Sequence, residues 1–196
     1  MSAKYIPKKS LKMTPLQKLL SRGPCNIKAL KIGKLAEQYT MLKLNTNFAN
    51  FKEITGNSAR FNKTDIIHVS ELEGNASLYG CDIILQDLLD ATKSVGVEVG
   101  CYTNLKTFKN IYIPFNKLSF HEDLNEVIYL FTDKNFELGY KISSNKVVEN
   151  YEKGIYPLEK TWDEQRQSYT ENIIVPVKDF IKIDMKIEKP KKEDLI

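Results

Sequence analysis

An α/β (α+β) domain with a mixed central β-sheet flanked by helices is predicted by three observations. Apolar residues recur at helical spacing early in the chain, and the period then shifts to that of strands. Five or six strand-like runs follow, with only short elements after them. At 196 residues the chain fits one domain and is long enough to bury a core without disulfides or a structural metal. The expected division is a flexible basic arm over 1–13, a single domain over 14–183, and a charged tail over 184–196.

Each element has its own signal. Residues 14–23 read as a short helix, with Thr14 as N-cap, Pro15 in the first turn and Gly23 as the stop. From 26 to 45 an apolar stripe (Ile27, Leu30, Leu35, Tyr39, Leu42) predicts a longer helix. The asparagine-rich stretch 45–64 reads as loop. Strands are expected at 65–72, 79–85, 95–102, 110–115, 126–133 and 136–143. The run EVIYLFTD has no polar alternation, as in a strand covered on both faces. Asp133-Lys134-Asn135 supplies a tight turn. A short helix begins at Ser143 or Ser144, and 171–182 forms a last strand or extended segment.

No apolar run approaches the roughly 18 residues needed to span a bilayer, so no membrane segment is expected. The odd set Cys25, Cys81 and Cys101 argues against a disulfide framework and points to a reducing, cytoplasmic setting. Phosphate-loop, dinucleotide-binding and serine-hydrolase signatures are absent. His68 and His121 have no partner at ligand spacing, and Cys101 has no neighbouring His to activate it.

The net charge of +4 is unevenly spread. Residues 1–36 carry nine Lys/Arg and no acid, 65–100 carry seven acids against Lys93, and 101–118 carry Lys106, Lys109 and Lys117 with no acid. An acidic block within a basic chain suits a metal site on a polyanion-binding surface; a solvated acidic face is the plainer alternative. Asp82 and Glu98 stand out because each interrupts a Val/Ile run, where a carboxylate is costly unless it is paired or metal-bound. Two acids on adjacent strands can converge on Mg²⁺, which prefers hard oxygen ligands.

The order of motifs resembles the PD-(D/E)XK (restriction-endonuclease-like) nuclease superfamily. Its helix motif corresponds to Gly33-Lys34-Leu35-Ala36-Glu37, its first strand acid to Asp82, and its second to Glu98 sixteen positions later. The runs NIYIP, VIYLFTD and ELGYKIS follow in the expected order, so the resemblance spans about 32–142. It implies a restriction-endonuclease-like core with Asp82 and Glu98 as catalytic metal ligands, Glu37 supporting them, and Mg²⁺ or Mn²⁺ as cofactor. It further implies DNA as the partner, with RNA and a homodimer left open.

The superfamily's lysine, two positions after the second acid, is replaced here by Gly100. Three explanations stand. The lysine has moved, with Lys106 and Lys109 the nearest catalytic candidates; two metals share its work; or the site is degenerate. The expected function is metal-dependent hydrolysis of phosphodiester bonds in DNA, with Lys8, Lys9, Lys12, Lys34, Lys106 and Lys109 contacting nucleic acid. The alternative is a catalytically degenerate nucleic-acid-binding or assembly module on the same fold.

Overall fold

The run EVIYLFTD becomes the centre of the molecule because both of its faces are covered. In the computed structural model, which describes residues 27–46, 54–55, 64–68, 81–87, 94–119, 124, 126–163 and 168–187, it forms β5 (Glu126–Asp133), buried from Val127 onward. The other strands are β1 (Thr64–His68), β2 (Ile83–Asp87), β3 (Ser94–Tyr102), β4 (Asn110–Pro114), β6 (Leu138–Ser143), β7 (Leu158–Asp163), β8 (Ser168–Pro176) and β9 (Ile181–Asp184). Two helices are described at length, α1 (Ile27–Thr46) and α2 (Ser144–Glu152). A six-stranded sheet runs β1-β2-β3-β5-β6-β9, and a three-stranded sheet runs β4-β8-β7. Among the described residues only β3 and β5 pair in parallel; the other neighbours are antiparallel. The expected mixed sheet with flanking helices is what the chain forms.

The two faces of β3 show how the layers are made. Val95 and Val97 join Leu44 of α1, Ile83, Leu85, Ile128, Leu130 and Met185 in one buried cluster, with Val99 packed against it. The opposite face carries Gly96, Glu98 and Gly100, and meets a second cluster of Cys81, Val127, Tyr129 and Phe131. That second cluster is closed by Ile111 and Ile113 of β4, Ile173 and Val175 of β8, and Val147 of α2. The layers are therefore α1, the six-stranded sheet, and then the small sheet with α2. Two lysines complete the α1 side from within: Lys43 Nζ donates to the Lys186 carbonyl at 2.9 Å, and Lys141 Nζ to that of Ile54 at 3.0 Å.

Several boundaries moved for physical reasons. Met185 is fully buried and its N–H donates to the Glu137 carbonyl, so packing runs past residue 183. The segment 171–182 is divided between the end of β8, a 3-10 turn at Val177–Asp179 and the start of β9. The strand β7 was not anticipated. Its sequence, LEKTWD, is polar because most of it stays exposed in a hairpin with β8. Near the end of that hairpin Trp162 and Tyr169 pair edge to face at 5.1 Å. The basic arm at 1–13, the helix at 14–23 and much of the expected loop at 45–64 lie outside the described residues.

The turn between β5 and β6 is held by one side chain. Asp133 is buried, and its Oδ1 accepts the N–H groups of Glu137 at 2.8 Å and Leu138 at 3.0 Å. Removing it leaves both donors without that acceptor, each costing about 1–3 kcal/mol where water cannot replace it. Asp133→Ala is expected to lower unfolding free energy by about 2–4 kcal/mol in urea titrations. A loss under about 0.5 kcal/mol would mean that water fills the role.

Candidate active site

The site forms where two paired strands part. β2 pairs with β3 only over Ser94–Val97, so the far half of β3 has no β2 partner. Burial changes at the same point, with residues 94–97 buried and 98–102 half-buried. Asp82 sits in a bend just before β2, one residue short of the strand in which the sequence placed it. Its N–H still donates to the Val97 carbonyl at 3.0 Å, and its Oδ2 accepts the Val99 N–H at 2.8 Å. A carboxylate thus takes the place of the missing strand carbonyl, and this fixes Asp82 beside Glu98.

Glu98 lies on the side of β3 away from α1, opposite Tyr129 of β5. Its side chain is 18% exposed, and Lys117 Nζ donates to its Oε1 at 2.5 Å. Its Oε2 is buried and has no hydrogen-bond partner among the described residues. Burial, then the negative charge of Asp82, push the Glu98 carboxyl from 4.5 up to about 7. Lys117 opposes that rise, and Glu37 of α1 adds a smaller upward push. Asp82, Glu98 and Glu37 therefore share one electrostatic neighbourhood.

The lysine at this carboxylate comes from another part of the chain. Lys117 belongs to the 3-10 turn Phe115–Ser119 that follows β4. Lys106 lies in the 3-10 turn Leu105–Thr107 and lines a separate cleft, while Lys109 is exposed just before β4. Lys34 is exposed on α1 one turn before Glu37. Lys8, Lys9 and Lys12 lie outside the described residues. The sequence signal for Lys117 was its membership of the basic run 101–118. Nothing local marked it above Lys106 and Lys109, which are closer to Glu98 along the chain.

Packing explains why position 100 has no lysine. A Cβ placed on Gly100 would lie 2.5 Å from Phe131 Cδ1. Phe131 is held in turn by Phe180 and Tyr102, at ring separations of 5.9 and 5.7 Å. No side chain fits at position 100 without moving this aromatic group.

The remaining groups are poor nucleophiles. Burial, followed by Glu98 and Asp82, pushes the Cys81 thiol up to about 12. The Cys101 thiol is also raised, by burial and then Asp133. Tyr129 is raised by burial and then Glu98. All three therefore stay protonated at neutral pH. His68 ends β1 opposite Ile83, and no function follows from that register.

The oxygen donors suit a hard divalent cation. Glu98 Oε2 is buried without a hydrogen bond among the described residues, and a second carboxylate stands near enough to raise the Glu98 pKa. Among the described residues no three His, Cys, Asp or Glu side chains form a ready cage. Mg²⁺ needs no such cage, because it commonly binds one or two carboxylates and keeps several waters.

No family model matches the chain, and no curated protein matches it. Among solved structures it is similar to D212, a nuclease from a fusselovirus, with 11% identity and a TM-score of 0.48. That likeness covers 75% of this chain and 85% of the other. Among the described residues no helix is long and apolar enough to cross a membrane.

Proposed function

We propose that the protein is a metal-dependent nuclease of the PD-(D/E)XK type that hydrolyses phosphodiester bonds in DNA. The observation that carries this reading is the buried Glu98 carboxylate. One oxygen is held by Lys117, the other has no hydrogen bond among the described residues, and Asp82 crowds the group. Such a group is unfavourable in the folded chain unless it has a use. Asp82 and Glu98 would hold Mg²⁺ or Mn²⁺, with Glu37 supporting them from α1. A divalent cation there supplies Lewis acidity toward a phosphate and lowers the pKa of water.

The chain's own residues supply the rest. The Asp82 bond to Val99 N–H fixes where that carboxylate points. Lys117, reaching the site from beyond β4, places a positive charge beside Glu98, where a phosphate would carry negative charge. It takes the position of the lysine that Gly100 cannot supply. With several basic residues on the chain, the substrate backbone is attracted without regard to sequence.

Incubation with plasmid and single-stranded DNA, with Mg²⁺ or Mn²⁺ and with EDTA, tests this reading. Cutting is expected only with metal, and Lys117→Met is expected to reduce it about 10²-fold or more, in the range of one lost electrostatic donor. Lys117→Arg should restore part of the rate. Binding without cutting under every condition would favour the degenerate reading, in which the Lys117–Glu98 pair is only a structural ion pair.

A further inference from the structure

A second basic feature lies away from the carboxylates. At the β6–β9 edge of the large sheet is a cleft of about 640 Å³ whose walls include Lys106, Lys182 and Lys186, with Tyr140, Glu137 and Asp184. All three lysines are exposed. One of the two acids is already engaged, because Asp184 Oδ1 accepts the Lys186 N–H at 2.9 Å. Of its lining residues, Tyr140 and Lys182 project from the same face of the sheet as Glu98. Gly100, Phe131, Tyr140 and Lys182 form one row across β3, β5, β6 and β9, and Glu98 and Tyr129 form the adjacent row. From a strand spacing of about 4.8 Å and a rise of about 3.3 Å per residue, Lys182 lies about 16 Å from Glu98 in the plane of the sheet. Along one strand of a duplex, at 3.4 Å per nucleotide, that is roughly five nucleotides.

We infer that this cleft binds backbone phosphates of nucleic acid about five nucleotides from the bond held at Glu98, an inference that rests on the nuclease reading for its distance but not for its charge. Compact ammonium groups on two segments, the turn after β3 and the β9 end of the chain, form a concave cationic wall that can neutralise phosphates without reading bases. Of the two roles expected for Lys106, catalytic and nucleic-acid-binding, this inference keeps the second: it belongs to substrate grip rather than to the carboxylates.

Fluorescence anisotropy of the full chain in EDTA, over a series of KCl concentrations, tests the inference with two DNA probes. One is a duplex of about 24 base pairs; the other is a hairpin with a stem of about 3 base pairs, roughly 10 Å long and too short to extend from Glu98 to the cleft. The triple variant Lys106→Ala, Lys182→Ala, Lys186→Ala is expected to bind the long duplex about tenfold or more weakly, with the salt slope reduced by about 2–3. Its affinity for the short probe is expected to stay within about twofold. A control variant, Lys153→Ala, Lys160→Ala, Lys178→Ala, removes the same charge from other exposed positions.

A cleft variant that matches the control on both probes, or loses both probes equally, would overturn the inference. So would a wild-type protein that does not bind the long duplex. If the length-dependent loss appears but wild type never cuts DNA with Mg²⁺ or Mn²⁺, the cleft stands and the nuclease reading fails. If cutting is metal-dependent and the loss is absent, the reverse holds.

Discussion

Replacing Glu98 by Gln is expected to make the metal-free protein more stable at pH 8 while reducing metal-dependent DNA cutting at least 10³-fold. The two effects have one cause. The carboxyl titrates near 7 in the folded chain against 4.5 as a free side chain. Its folded pKa is raised, so the stability linked to its proton is complete below about 4.5 and is lost as pH rises through about 7. By linkage that loss is about 3 kcal/mol, at 1.36 kcal/mol per unit. Glutamine has no proton to lose, but it leaves Lys117 without its ion-pair partner, which reduces the gain to about 1–2 kcal/mol. Denaturation in EDTA at pH 5 and pH 8 measures this directly. Wild type should lose stability between the two values, and Glu98→Gln should lose much less from this site. Equal slopes would mean that Glu98 is not the group responsible. A carboxylate that destabilises its own fold when ionised is a reasonable cost only where the ionised form is used.

The second large effect concerns Gly100. Restoring the superfamily lysine with Gly100→Lys is expected to destabilise the protein by about 3 kcal/mol or more, and not to raise cutting. The reason is steric. A Cβ at this position meets Phe131 at 2.5 Å, and that ring is held by Phe180 and Tyr102. Overpacking alone costs about 1–3 kcal/mol, so Gly100→Ala should already show most of the loss. Lysine adds an ammonium group that would have to leave an apolar cluster. Phe131→Leu should relieve part of the penalty, so the double variant with Gly100→Ala should lose less than the two single variants together. If Gly100→Lys folds as well as wild type and cuts faster, then Lys117 is not the residue that took over the lysine's place.

The parts of the fold that the sequence made legible are those where one physical demand dominated. β5 reads without ambiguity because a strand covered by α1 on one side and by β4, β8 and α2 on the other has no reason to alternate. The helix α1 was expected at 26–45 and runs Ile27–Thr46, although Leu35 and Leu42 of its apolar stripe are exposed. Asp82 was placed inside a strand because the apolar run alone does not say where pairing stops. Pairing stops at Ile83 because the side chain of Asp82, rather than backbone, takes the next donor of β3. The hairpin of β7 and β8 was only half visible, since Ile173 and Val175 reach the core while LEKTWD stays largely outside.

The candidate site was legible in its acids and not in its lysine. Asp82, Glu98 and Glu37 could be picked out because isolated carboxylates in apolar or motif-bearing runs are conspicuous. Lys117 could not, because its role depends on how the turn after β4 lies over β3, and that is a matter of tertiary packing. Gly100 carried the opposite lesson. Its place in the motif left a moved lysine, two metals and a degenerate site all open, whereas its surroundings show a position that has no room for a side chain.

Calorimetric titration of Mn²⁺ into the full chain at pH 7, in wild type, Asp82→Asn and Glu98→Gln, tests the shared site most directly. Wild type is expected to bind in the millimolar range or tighter and to release a fraction of a proton from Glu98, seen as a heat that depends on the buffer. Each substitution is expected to weaken binding at least tenfold, and Glu98→Gln should also abolish the proton release. Binding of equal strength in all three proteins, or none in wild type, would contradict the claim that Asp82 and Glu98 hold one metal ion.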